Sequence, residues 1–310
     1  MKTLKRMMVA VLAMLALTAG TAVADTDHGY SRMFVFGASF LDPGNNFALT
    51  GETAHPPFEP ISFISYGIGG HHYSNGRTWV EVMAQDMELT AWAKPAFRNP
   101  AFGNYAYGYA RARPVDNPLG PSLGDQVQAW IDNGYCTGIA MNDTLFVLDA
   151  SWFDMFDILQ GGDPTEILPG IINSIGMNIG ILRECGARNL LVANIPPIGT
   201  SPLVPDADKA AATALSALFN YVYLQTVIDF YSGSMNISTV DVFDFFTQVV
   251  MEPEAFGFTN ITDTCVTPGV LVDAFCKDRD SYFFWDPLHP TKAAHAALAE
   301  YALDRLPVLE

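Results

Sequence analysis

Phe34-Val35-Phe36-Gly37-Ala38-Ser39-Phe40-Leu41-Asp42 joins an apolar, β-favouring run to a glycine and a serine. A polar turn, Asp42-Pro43-Gly44-Asn45-Asn46, follows. The pattern predicts a buried strand that ends in a tight turn with a hydroxyl at its tip. A serine hydroxyl is a weak nucleophile near neutrality and needs a base beside it. Near the other end, Trp285-Asp286-Pro287-Leu288-His289-Pro290-Thr291 carries an Asp and a His three residues apart. At that spacing the carboxylate can face the imidazole across one turn, fix its tautomer and stabilise its protonated form.

Outward from Ser39, further apolar runs occur at Met33–Phe36, Leu145–Leu148, Asn189–Ile195 and Ser238–Phe243. They are nearly continuous rather than alternating, which predicts strands covered on both faces. Helical patterns separate them, over Trp79–Met87, Ile167–Arg183 and Asp208–Tyr231. In the last of these, Ala211, Leu215, Leu218 and Val222 form the expected buried row. After His289, Thr291 is placed to cap a helix with Ala294, Ala297, Leu298 and Tyr301 on one stripe. Strand–helix alternation of this kind predicts a parallel sheet between helical layers, with function at the carboxyl ends of the strands. Ser39 falls at such an end. The Gly-, Pro- and aromatic-rich stretches 43–75 and 92–123 read as long loops that shape a cleft. Phe58, Phe63, Tyr66, Tyr73, Trp92, Phe97, Phe102 and Tyr105 are the candidates for its apolar lining.

Residues 1–24 read as a secretory signal peptide. Lys2, Lys5 and Arg6 form a basic head, Met7–Leu17 an apolar run, and Ala22-Val23-Ala24 a cleavage pattern. The remainder, 25–310, is expected to be one domain, soluble, and either periplasmic or extracellular. It holds 13 basic and 33 acidic residues, a net charge of −20. That balance argues against nucleic acid or an anionic membrane as a static partner. The sequence runs only a few residues past the last expected helix, which is read as leaving no room for a C-terminal membrane barrel. No protein partner is implied.

The four cysteines are 136, 185, 265 and 276. Cys265 and Cys276 share one loop and are the expected pair in an oxidising compartment. Cys136 and Cys185 both precede strands on one sheet edge; pairing is open to them, but their spacing does not decide it. No Cys/His cluster suggests a metal.

The combination of segments resembles the GDSL (SGNH) lipases and esterases. Phe36-Gly37-Ala38-Ser39-Phe40-Leu41-Asp42 with Gly44-Asn45-Asn46 is similar to that family's nucleophile segment. Ser74–Glu81, Asn104-Tyr105-Ala106-Tyr107-Gly108, Ala187–Gly199 and Tyr282–Thr291 resemble its later segments, in order, across about 33–304. The resemblance implies a flavodoxin-like three-layer α/β/α sandwich. It implies Ser39 as nucleophile, His289 as its base, Asp286 orienting His289, and the N–H groups of Ser39 and Gly108 in the oxyanion hole. It implies no cofactor or metal, and a small-molecule or lipid ester as substrate, with transient contact to lipid aggregates.

Two positions depart from the family's pattern. Ala38 stands where an Asp is usual. Phe153, in Ser151-Trp152-Phe153-Asp154, stands where the family's third oxyanion donor is an Asn, and Phe has no donor. Asn142-Asp143 lies at the wrong end of its strand to substitute. Ester hydrolysis is the expected activity. The same three residues also suit a phospholipase, an acyltransferase or a polysaccharide deacetylase. Phe153 is the feature that would fit a binding protein on a decayed hydrolase scaffold.

Overall fold

The computed structural model describes residues 28–51, 66, 68–116, 119–149, 152–266 and 275–309. The expected signal peptide, Phe58, Phe63 and Ser151 lie outside them. Four strands form a parallel sheet in the order β1-β2-β3-β4: Arg32–Phe36, Met141–Asp149, Ala187–Ala193 and Asn236–Val240. Met33–Phe36, Leu145–Leu148 and Leu190–Val192 are fully buried. These are the runs whose unbroken apolar character predicted cover on both faces. The architecture is the expected α/β/α sandwich around a parallel sheet.

Around the sheet lie α1 (Asn45–Thr50), α2 (Trp79–Asp86), α3 (Leu123–Asp132), α4 (Phe153–Leu159) and α5 (Pro164–Glu184). They are followed by α6 (Lys209–Leu218), α7 (Gln225–Ser232), α8 (Val242–Met251) and α9 (Lys292–Leu303). A small parallel pair, β5 (Asn260–Thr264) and β6 (Tyr282–Phe284), precedes α9. Two helical stretches, Pro164–Glu184 and Lys209–Ser232, are long and apolar enough to cross a membrane. In the first, Ile171, Ile175, Ile179 and Leu182 are buried in the core.

Two expectations need correction. The fourth strand ends at Val240, not Phe243. The Asp241 carboxylate accepts the Asp244 N–H at 2.9 Å and starts α8, so Val242 and Phe243 are helical. The expected single helix over 208–231 is divided by a π-helical turn at Phe219–Leu224. Its buried row is Ala212, Ser216 and Phe219, while Leu218 and Val222 are exposed. Polar side chains that serve the backbone account for the shift. Ser216 Oγ accepts the Ile198 N–H at 3.2 Å, and Asn220 closes two hydrogen bonds on Ile195, at 3.1 and 2.7 Å.

The outer edge of β1 is not bare. Val35 N–H donates to Gly103 O at 2.9 Å, Tyr105 N–H to Val35 O at 2.8 Å, and Tyr107 N–H to Gly37 O at 3.1 Å. Residues 103–107 therefore run alongside β1 and bring Gly108 next to the turn that holds Ser39.

Candidate active site

Ser39 follows β1 on a turn that only glycine permits at residue 37. Gly37 has φ +150°, and a Cβ there would stand 2.5 Å from Asp149 Cβ. Gln126, buried on α3, clamps the same peptide. Gly37 N–H donates to Gln126 Oε1 at 2.8 Å, and Gln126 Nε2 to Gly37 O at 3.0 Å. The next N–H, of Ala38, reaches Asp149 Oδ2 at 3.4 Å. The serine is thus held at the carboxyl end of β1 by partners from α3 and β2.

The Asp–His segment is built locally. Asp286 Oδ1 accepts the N–H groups of Leu288 and His289, both at 2.7 Å, closing the turn that turns the imidazole back on the carboxylate. His289 Nδ1 lies 2.7 Å from Asp286 Oδ2 and His289 Nε2 lies 2.8 Å from Ser39 Oγ. A carboxylate only accepts, so Nδ1 carries the proton and Nε2 is left to accept from the hydroxyl. All three side chains are buried. Burial alone would raise the Asp286 carboxyl. The charge and hydrogen bond of His289, with the two backbone donors, outweigh it and hold the group below the usual range. Outside the turn, Trp285 N–H donates to His289 O at 2.7 Å and Ser74 Oγ to Pro290 O at 2.9 Å. Thr291 Oγ1 accepts the Ala294 N–H at 3.3 Å and caps α9 as expected.

The chain belongs to the GDSL-like lipase/acylhydrolase family. That family's model matches residues 33–302, spanning every segment just described. The GDSL esterase/lipase At4g16230 of Arabidopsis thaliana is 25% identical over 87% of this chain and 86% of its own. At1g29670 from the same plant, also a GDSL esterase/lipase, is 26% identical over 86% and 85%. A solved member of the lipolytic G-D-S-L family from Veillonella parvula DSM 2008 aligns at a TM-score of 0.44. It is 15% identical and covers 88% of this chain and 96% of that one.

Within the GDSL site, Asp42 is a structural centre that its sequence position does not announce. It is fully buried and accepts four N–H groups: Gly44 at 2.8 Å, Asn45 at 2.6 Å, Asn46 at 3.2 Å and Gly108 at 2.7 Å. Burial pushes its carboxyl up to about 6 against the pull of those donors. Asn45 and Asn46 extend the tie. Asn45 Nδ2 bonds the carbonyls of Asn104 and Ala106, and Asn46 Nδ2 those of Gly108 and Leu119. The Gly108 N–H, expected at the oxyanion, thus donates to Asp42 in this structure. The Ser39 N–H, the other expected donor, has no acceptor among the described residues.

Phe153 opens α4 and is buried against Tyr109, Trp152 and Phe156, with ring centroids 5.3, 5.1 and 6.2 Å away. The Arg111 guanidinium sits over its ring at 5.5 Å and pairs with Asp157 through two hydrogen bonds, at 2.9 and 2.7 Å. Next to it, Asp154 accepts the Ala112 N–H at 2.6 Å, and burial pushes its carboxyl up to about 7. Phe153, expected at the position of the family's donor, is thus an aromatic side chain fixed by packing and by neighbouring charges.

The loop aromatics divide. Tyr73 lies beside His289 (5.1 Å between ring centroids) and donates to Asn46 Oδ1 at 3.0 Å. A Cβ on Gly108 would strike its hydroxyl. Tyr66 donates to Asp286 Oδ2 at 2.8 Å. By contrast Trp92 packs on Phe34 and Tyr105 on Phe36, in the core, while Phe97 faces solvent and Phe102 lies beneath Lys94. The apolar wall near the hydroxyl comes from elsewhere: Phe40 and Trp152 stand 5.9 and 6.2 Å from the His289 ring.

A second buried histidine, His295, accepts the Trp79 N–H at 3.2 Å, and burial pushes its pKa down to about 3. His72 pairs with Glu81 at 2.8 Å. Burial opposes its charged form, but Glu81 outweighs burial and raises its pKa. Both disulfides are present, Cys136–Cys185 and Cys265–Cys276. A cavity of about 590 Å3 lies away from this chemistry. It is lined by Asn142, Arg188, Asn189 and Asn236 at the amino ends of the strands.

Proposed function

We propose that the protein is a secreted serine hydrolase of carboxylic esters, with Ser39 as nucleophile, His289 as general base and Asp286 orienting His289. The observation that carries this reading is the continuous relay from Ser39 Oγ through both nitrogens of His289 to Asp286 Oδ2, at 2.8 and 2.7 Å. Nε2 takes the hydroxyl proton as Oγ bonds to the acyl carbon. The tetrahedral adduct collapses, and the alcohol leaves with the proton from Nε2. Water then attacks the acyl-enzyme and gives a proton to Nε2. The acid departs as that proton returns to Oγ.

The Ser39 N–H is the first donor for the oxyanion. Gly108 becomes the second by exchanging Asp42 for the oxyanion. With Phe153 in place of Asn, one preorganised donor is missing, a loss on the order of 10²–10³ in rate. Phe153 is also what favours the second reading, a binding protein on a decayed hydrolase scaffold. The domain is taken as 25–310, exported after cleavage near Ala24.

Short p-nitrophenyl esters and a fluorophosphonate probe test both readings. Hydrolysis and labelling that disappear in Ser39→Ala support the hydrolase. A folded protein that neither labels nor turns over supports the binding protein. Asp286→Asn is expected to lower kcat by roughly 10³–10⁴-fold. Lipid, acetylated-sugar and alcohol-acceptor panels separate the esterase from the phospholipase, deacetylase and acyltransferase alternatives.

A further inference from the structure

A small apolar pocket opens beside the candidate nucleophile. Phe40, the residue after Ser39, and Leu288, the residue before His289, form two of its walls. Trp152, Pro196, Pro197 and Phe246 complete them. The polar groups at its margin are already engaged. Thr200 Oγ1 donates to Pro197 O at 2.8 Å and Ser201 Oγ to Pro287 O at 2.6 Å. The Trp152 indole N–H is buried away from the pocket space and has no acceptor among the described residues. An apolar occupant therefore suits this wall, since it leaves no polar group unpaired there.

Its size is restrictive. The free volume is about 10 Å3, near the ~10–15 Å3 needed to admit a single water-sized group. The walls are also braced. Phe246 packs edge-on against Phe283 at 4.8 Å and stacks with Phe40 at 6.4 Å. Asn220, at the π-helical turn, holds the Ile195 peptide that leads into Pro196 and Pro197. A methyl group enters such a space; a longer chain needs the aromatic wall to move, and close-packed interiors resist that.

We propose that this pocket is the acyl subsite and that it selects esters of acetate over those of longer and fatty acids. The proposal rests on the hydrolase reading above and deepens it. A misfit methylene in an apolar pocket changes kcat/KM by about 10- to 200-fold, so the preference is expected to be steep.

The test is the kcat/KM series for p-nitrophenyl acetate, butyrate, hexanoate, octanoate and laurate, in the parent and in Phe246→Leu and Phe246→Ala. In the parent, kcat/KM is expected to fall at least tenfold from acetate to hexanoate. Each Phe246 variant that still unfolds cooperatively is expected to raise the hexanoate-to-acetate ratio at least tenfold. Parent activity on octanoate or laurate equal to that on acetate overturns the proposal, and so does an unchanged ratio in a folded variant. Fluorophosphonate labelling separates the two levels of failure. Labelling at Ser39 without acetate hydrolysis overturns the short-acyl subsite alone, whereas no labelling overturns the hydrolase reading with it.

Discussion

Tyr66 Oη lies 2.8 Å from Asp286 Oδ2, the same oxygen that receives the His289 Nδ1–H at 2.7 Å. Both oxygens of this buried carboxylate are therefore saturated: two backbone donors on Oδ1, a phenol and an imidazole on Oδ2. The Asp286 charge in turn helps keep the Tyr66 phenol protonated, after burial, which is the larger cause. The phenol also ties Oδ2 in place beside His289 Nδ1. Tyr66→Phe removes that donor and leaves the ring. It is expected to lower kcat by about 10- to 150-fold, since a hydrogen bond to a charged group contributes about 1.5–3 kcal/mol. The kcat of parent and variant on a short p-nitrophenyl ester, with the unfolding midpoint as a check on folding, reads this loss. An unchanged kcat in the folded variant would show that Tyr66 only packs.

Phe153→Asn puts a side-chain donor at residue 153, where the resemblance expects one, and opens a hole among Tyr109, Trp152 and Phe156. Removing a buried aromatic ring costs about 3–5 kcal/mol for Phe→Ala, and somewhat less with the partial filling of Asn. The expected result is a lower unfolding midpoint together with a higher kcat on short esters, by tenfold or more. Equal kcat in parent and variant would mean that a missing donor is not what limits turnover.

The legible parts of this molecule were those set by near neighbours in sequence. β1 to β3 stand out because burial on both faces leaves an unbroken apolar run. The Asp286–His289 pair is visible because a three-residue spacing closes on itself. The approach of Ser39 to His289 spans 250 residues and could be expected only through the resemblance to a family. Asp42 and Gln126 were not singled out as site residues, and Tyr66 only as apolar lining rather than as a donor to Asp286, because each acts on a partner remote in the chain or on backbone, and nothing local marks that role. The row on α6 was displaced by one position for a related reason. Ser216 and Asn220 are buried polar groups that serve the backbone, and an apolar pattern does not count them.

His295 predicts an acid sensitivity with a definite sign. Its folded pKa, about 3, lies below the ordinary value of 6.5. Between those two values the unfolded chain binds the proton and the folded chain does not, so stability falls as pH drops through that window. Asp42 works in the opposite sense, because its raised pKa makes the folded state bind a proton first as pH drops below about 6. His295→Gln keeps an acceptor for the Trp79 N–H and removes the titration. Urea midpoints between pH 7 and 4 should decline less in the variant than in the parent. Its kcat profile should keep the parent's acidic limb, since a group titrating near 3 does not set it. Parallel stability curves would remove His295 from the account.

The two disulfides predict opposite profiles of stability and activity. Cys136–Cys185 spans 49 residues and joins the segment after α3 to the end of α5, at the amino side of the sheet. Its loop entropy corresponds to about 4 kcal/mol. Cys265–Cys276 spans 11 residues, corresponding to about 3 kcal/mol, but its neighbours lead straight to the site. Cys265 N–H donates to Phe284 O at 3.0 Å and Val266 N–H to Trp285 O at 2.8 Å, directly before Asp286. The double variant Cys136→Ser/Cys185→Ser should therefore show the larger fall in melting temperature with kcat/KM retained. Cys265→Ser/Cys276→Ser should show the smaller fall with a reduced kcat, because the strand that aims Asp286 and His289 loses its brace. Differential scanning calorimetry and ester kinetics on the two variants separate these outcomes. A loss of activity in the first pair alone would contradict the assignment of the site to the carboxyl ends of the strands.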